Sequence, residues 1–323
     1  MKQYHLDYQE ISNFRSELMG WAIIWIMMLH FTFTQIKPLG FVAQYGFAGV
    51  DIFMFVSGFG LFFSLERDHN ILHFYKKRLL RIFPTYYLIG AISALFLDHD
   101  NLPTYLFRYS TIGFWTNGIY HDWYIPSIVA LYLISPFLKK LFNKHFIPIA
   151  ITLIIFVFFI TFICISKEYF GDRSRFFFLF SRIPAFIWGM TCAYWLKNNC
   201  SKTYYTIALI VGIPVFVWLF PQQHQIYNFK YLSLSLLLPA YTLFFIIITK
   251  YIRPVKGLLS PIGNASLEIY LIQGMFASSI IKGLITIPSQ WHDIYTLGFI
   301  LFCSIAGILF HWLIERSRIS SLF

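Results

Sequence analysis

The chain has 323 residues, 58% of them apolar and only 12% charged, with a mean hydropathy of +0.64. Soluble proteins carry about 25% charged residues, so a water-soluble fold of this composition would expose apolar surface it has no means to cover. The net charge of +11 does not point to nucleic acid: in a membrane chain surplus Lys and Arg mark cytoplasmic loops and contacts with anionic lipid, and no basic and aromatic stretch is long enough for a nucleic-acid groove.

A spanning helix needs about 20 mostly apolar residues. In chain order such segments are 17–36, 41–65, 83–97, 123–138, 146–166, 176–196, 203–220, 231–249, 262–281 and 294–314. The first is too long for the apolar core of a signal peptide and lacks a small-residue cleavage site, so it is expected to stay in the protein. Between the third and fourth lies the longest break, Asp98 to Asp122, whose aromatic and Gly content predicts a partly buried or re-entrant segment. The sequence thus predicts an all-α polytopic membrane protein of about ten transmembrane helices. It forms one integral-membrane domain over 1–323 with no soluble domain, so any active site is built from helix ends and connections. With the N-terminus inside, segments 1–16, 66–82, 139–145, 197–202, 250–261 and 315–323 hold 17 of the 25 Lys and Arg, which places both termini in the cytoplasm. Cys164, Cys192, Cys200 and Cys303 lie far apart, and neither a disulfide framework nor a metal site is expected.

Ionisable residues inside a span cost about 2.5–3.5 kcal/mol each on insertion scales and call for a reason. The first span carries Arg15 at its start and His30 near its end. At 100° per residue their side chains fall about 60° apart around the axis, on roughly one face. The second contains Asp51 among small residues, Gly46, Gly49 and Gly58, that let another helix approach. His30 and Asp51 are either functional or a structural pair joining two helices. Arg78 and Arg81, at i and i+3 just before Pro84, project the same way. Two guanidinium forks there suit a phosphate-bearing ligand, or anchor the span at lipid headgroups. His121, Asp122 and Trp123 open the fourth span, where the residues alone favour an interfacial aromatic belt. Glu268 and Gln273 lie about 140° apart on their helix and form no single pair. Glu315-Arg316 reads as an anchor.

The order of these motifs resembles the membrane-bound acyltransferase-3 family, which O-acylates surface glycans and other acceptors. The resemblance runs nearly the whole chain: Arg15 and His30 in the first helix, G-x-x-G-V-D-x-F with S-G-F (Gly46 to Phe59), R-x-x-R-x-x-P (Arg78, Arg81, Pro84), H-x-W-Y-x-P (His121 to Pro126), R-x-P-x-F-x-x-G (Arg182 to Gly189), G-x-x-S-x-x-x-Y-L (Gly263 to Leu271) and L-I-E-R (Leu313 to Arg316). The family separates its first-helix Arg and His by ten residues, this chain by fourteen. Where the family often ends Y-L-I-H, this chain has Gln273. The resemblance implies His30 as the catalytic group and Arg78 and Arg81 as the site of the acyl donor, acetyl-CoA or another acyl-CoA, with no metal.

On this footing His30 serves as general base or transient acyl carrier with Asp51 orienting it, by the logic of catalytic triads. Arg15, His121, Asp122, Trp123 and Gln273 line the substrate pocket. The partners implied are membrane lipids, acyl-CoA and a carbohydrate or lipid-linked glycan acceptor, with no nucleic acid, in a multi-pass protein of the bacterial plasma or inner membrane. The rival from another class is a transporter or flippase of a glycan or lipid-linked precursor, which uses broken helices and midplane polar residues equally well. A reporter fused after Phe323 should read cytoplasmic; a reading on the far side would invert the map and move Arg78 and Arg81 to the outer face.

Overall fold

The computed structural model describes residues 9–117, 123–142, 179–198, 237–281 and 285–317, with single positions 214, 217 and 283. Among them the ordered elements are all helical and no strand occurs. They are α1 (Gln9–Asn13), α2 (Arg15–Phe31), α3 (Lys37–Ala43), α4 (Ala48–Arg67), α5 (Ile71–Ser93, continuing through a π-helical turn, Ala94–Asp98), α6 (Leu102–Tyr109), α7 (Ile112–Asn117), α8 (Tyr124–Phe142), α9 (Ile183–Lys197), α10 (Leu238–Tyr251), α11 (Arg253–Asn264), α12 (Ser266–Ile281) and α13 (His292–Arg316). Among the described residues four helical stretches are long and apolar enough to cross a membrane: α4, α5 with its π turn, α8, and α13 with the short turn before it. The expected spans at 146–166 and 203–220, apart from the two single positions, lie outside the described residues, as do His121 and Asp122.

Several boundaries differ from the expected spans for local reasons. The first stops at Phe31 because Thr32 turns out of the helix with φ 57 and ψ 165, a conformation essentially restricted to glycine and costing about 1–3 kcal/mol elsewhere. The third is much longer than 83–97. Asn70 caps α5, its side-chain oxygen accepting from the backbone N–H of Leu72 (3.0 Å) and His73 (3.2 Å), and the helix then runs unbroken through Pro84. Arg78 and Arg81 therefore sit within one continuous helix, at the i and i+3 spacing expected of them. The segment expected at 262–281 is two helices that meet at Ala265. The aromatic break after Asp98 folds as α6 and α7, with Tyr109 and Phe114 buried.

Helix α4 is the buried axis, with α2 packed on one side and α9 on the other, and α11 lies along α2. Glycines permit both of the closest approaches. A Cβ on Gly189 of α9 would meet the Phe55 carbonyl oxygen of α4, and one on Gly58 of α4 would meet the Phe186 carbonyl oxygen of α9. Gly263 of α11 likewise lies against the Ser16 carbonyl of α2. Helix α13 instead turns Leu297, Leu301, Phe302, Ile305, Leu309 and Trp312 outward, the apolar surface lipid would cover. Polar ties gather one set of helix ends: Glu66 of α4 pairs with Lys139 of α8 and Lys197 of α9, both at 2.7 Å, and Lys250 of α10 reaches Glu10 of α1 at 3.2 Å.

Because backbone faces Gly189, Gly189→Leu should cost more than the about 1–3 kcal/mol of ordinary overpacking and abolish the monodisperse peak on size exclusion in detergent. Gly257→Leu, with nothing within 4 Å of its Cβ, should elute as the parent does. Equal profiles for the two variants would refute the α4–α9 contact.

Candidate active site

The last turn of α2 presents His30, and α12 meets it with Gln273. His30 Nδ1 lies 2.7 Å from Gln273 Oε1. An amide oxygen only accepts, so Nδ1 carries the proton, which leaves Nε2 with a free lone pair. Gln273 is almost fully buried whereas His30 is exposed. The position that departs from the family's usual histidine is thus the one that holds the first-helix histidine.

The expected pairing of Asp51 with His30 is not formed. Asp51 is wholly buried, and Arg182 Nη1 donates to both of its carboxylate oxygens at 2.9 Å. Arg182 is itself 1% exposed, and its guanidinium also lies 5.5 Å from the centre of the Phe47 ring. A buried carboxylate needs a full opposite charge, and the glycine contacts between α4 and α9 bring the arginine to it. Nothing in the first reading singled out Arg182 as that partner. The signal was a second ionisable residue in a glycine-bearing apolar helix.

At the end of the bundle where α2 starts and α13 finishes, a cavity of about 680 Å3 is lined by Arg15, Arg78 and Arg81 together with residues of α4, α8, α11, α12 and α13. Gly60 of α4 leaves room for Arg15, whose guanidinium lies 3.6 Å from where a Cβ would stand. Arg78 stacks over Phe74 at 5.7 Å, and its buried Nε has no hydrogen-bond partner among the described residues. None of the three arginines forms an ion pair among the described residues. The carboxylates of the cavity wall are engaged elsewhere. Glu268 Oε1 lies 3.2 Å from His311 Nδ1, and Glu315 Oε1 lies 3.3 Å from His311 Nε2. Glu315 is therefore part of the wall rather than a simple anchor, and His311, which the sequence reading passed over, organises both acids.

Arg15 and His30 stand at opposite ends of one helix, about 22 Å apart at 1.5 Å per residue. The inner wall of the cavity is aromatic, with Phe53 and Tyr124 at 5.9 Å and Tyr124 and Tyr270 at 5.2 Å between ring centres. Tyr270 lies one turn from Gln273 on α12. The cavity thus extends from the arginines to within a helical turn of the residue that holds His30. Trp123 sits beside Tyr124, but it is Tyr124 that lines the cavity. No three His, Cys, Asp or Glu side chains gather as a metal site among the described residues.

Residues 18–316 match the acyltransferase-3 family, described as an acyltransferase domain. The chain belongs to this family. It is 25% identical over 228 residues to the Putative acetyltransferase ORF330 of Acidianus two-tailed virus, an alignment covering 65% of this chain and 66% of that protein, so just under two thirds of that relative is spanned. No solved structure matches.

Within this acyltransferase-family fold, Arg182→Met should strand a buried carboxylate and lower the unfolding free energy in mixed micelles by about 3–5 kcal/mol. The double variant Asp51→Asn with Arg182→Met should recover most of that loss. Additive losses would show that the two side chains do not act as a pair.

Proposed function

We propose that this chain is an integral-membrane O-acyltransferase that moves an acyl group, most simply acetyl, from acyl-CoA to a hydroxyl of a cell-surface or lipid-linked carbohydrate. The observation that carries the proposal is three guanidiniums without ion pairs around one cavity. Uncompensated like charges in a cleft repel one another and favour an anionic ligand, and planar forks are suited to phosphate oxygens. Coenzyme A presents several phosphates on a long, flexible thiol arm, which matches a cationic end separated from an imidazole. Family membership supports acyl transfer, and the protein would work as a single domain in the bacterial plasma or inner membrane, with lipids around it and no nucleic acid.

In this reading the donor's phosphates rest on Arg15, Arg78 and Arg81, and the thioester reaches towards His30. An alcohol is a poor nucleophile near neutral pH. His30 Nε2 takes the hydroxyl proton as the oxygen attacks the thioester carbonyl, and the C–S bond breaks to release the coenzyme A thiolate, which is then protonated. Gln273 keeps the proton on Nδ1 and so keeps Nε2 basic. Unlike a carboxylate, the neutral amide leaves the imidazolium without a counter-charge, which eases return of the proton to the departing thiolate.

Purified protein in phosphatidylglycerol vesicles gives the test, with water standing in for the acceptor hydroxyl. Loss of one guanidinium–phosphate contact is worth about 1.5–3 kcal/mol, so Arg78→Ala and Arg81→Ala should each weaken coenzyme A binding by about ten- to a hundred-fold. His30→Ala should bind coenzyme A normally yet lose about 10²–10⁴-fold in release of free thiol from acetyl-CoA. A transporter or flippase should release no free thiol from acetyl-CoA. Unchanged affinity in both arginine variants would reduce them to lipid anchors.

A further inference from the structure

The six residues that follow His30 in the chain are gripped by the opening turns of α13. Asp293, almost fully buried, accepts three consecutive backbone N–H groups: Thr34 at 2.7 Å, Gln35 at 3.0 Å and Ile36 at 2.7 Å, with the Thr34 hydroxyl at 3.3 Å. Three residues further along α13, Thr296 is wholly buried and donates its hydroxyl to the carbonyl oxygens of Phe31 at 3.0 Å and Thr32 at 2.9 Å. Phe31 also stacks on Phe299 of α13, with ring centres 5.3 Å apart. Backbone donors and backbone acceptors on either side of Thr32 are thus held by one helix.

Thr32 is the residue with φ 57 and ψ 165. A β-branched residue persists there only where its surroundings over-determine it; Thr296 holds its carbonyl and that of Phe31 before it, and Asp293 holds the chain from two residues beyond it. Its N–H still closes the last turn of α2 on Met28 at 3.0 Å. Were the grips released, Thr32 would relax to negative φ, and the turn that carries His30 would fray away from Gln273. A strained residue two positions from a reactive imidazole, clamped from a helix that otherwise faces lipid, is an arrangement for holding a side chain still.

We infer that Asp293 and Thr296 are positioning residues for His30, locking the last turn of α2 so that Nδ1 stays on Gln273 and Nε2 stays in register with the bond being made. The inference rests on the reading of His30 as the base. The donor's phosphates are read at the other end of α2, about 22 Å away, so the clamp acts on turnover and not on donor binding.

Thr296→Val removes the hydroxyl at nearly constant volume, Thr296→Ser keeps it, and Asp293→Asn replaces one acceptor oxygen with a donor that opposes the N–H groups. With acetyl-CoA as substrate and the full chain in vesicles, Thr296→Val and Asp293→Asn should lower kcat by about ten- to a hundred-fold, the scale of a displaced catalytic group. KM for acetyl-CoA should stay within about two-fold of the parent, and Thr296→Ser should restore kcat. A purely structural role would instead reduce the yield of folded protein and leave the kinetics of the folded fraction unchanged. The two sites are read independently, so if one variant does not fold the other decides. Parental kcat in the folded variants, a matching rise in KM, or failure of Thr296→Ser to restore turnover overturns the inference. His30→Ala run alongside separates the two levels. If it is inactive while the clamp variants turn over normally, only the clamp falls; if it is active, the base falls and the clamp with it.

Discussion

A charge within a membrane-spanning helix bundle must be matched or kept in reach of water, and that constraint sorts the polar residues of this protein. Asp51 and Arg182 meet it by cancelling each other in full burial. Their contact requires α4 and α9 to lie at backbone distance, which Gly58 and Gly189 allow, so one ion pair and one pair of glycines fix the central axis of the bundle together. Replacing such a pair with apolar residues is often harmless to stability while removing one member is not. Its value here lies in the rotation and register it imposes on α4, against which α2 is then packed.

That allocation leaves His30 with a neutral partner. Had Asp51 been aimed at the imidazole, the charged form of the histidine would be favoured and the proton harder to return. Gln273 fixes the tautomer and, as a neutral acceptor, stabilises the cation less than a carboxylate would. In the proposed function the two ends of α2 take different work, anion binding at Arg15 and proton handling at His30. Helix α13 attends to both, through Asp293 and Thr296 at one end and His311 and Glu315 at the other. A helix whose outer face is lipid-exposed apolar surface can be constrained only along its inner stripe, and most of its polar contacts lie at its two ends.

How far the sequence was legible follows from the range of each interaction. Composition and apolar run length are summed over many residues, so helices at 48–67, 124–142 and 292–316 were visible from hydropathy alone, as was the shared face of Arg78 and Arg81. Helix ends were not, because they turn on single caps such as Asn70 and single strained residues such as Thr32. Pairings were least legible. Asp51 and Arg182 are 131 positions apart and His30 and Gln273 are 243 apart. A rule that each buried charge needs a counter-charge states that a partner exists but not which one. Asp51 was accordingly assigned by triad logic to His30 on α2, when the other helix packed against α4 carries Arg182.

The same comparison separates the arginines that have a carboxylate partner from those that do not. Arg182 has a carboxylate of its own; Arg15, Arg78 and Arg81 have none among the described residues, although two carboxylates lie in the wall of their cavity. Those carboxylates meet His311 instead, one at each of its ring nitrogens. With both acids turned to the histidine, the guanidinium N–H groups are left without a carboxylate partner among the described residues. Repulsion among three guanidiniums is unfavourable for the empty protein, and the ligand that relieves it gains the difference. On the proposed reading, the cost of assembling like charges in the fold would reappear as affinity for phosphate.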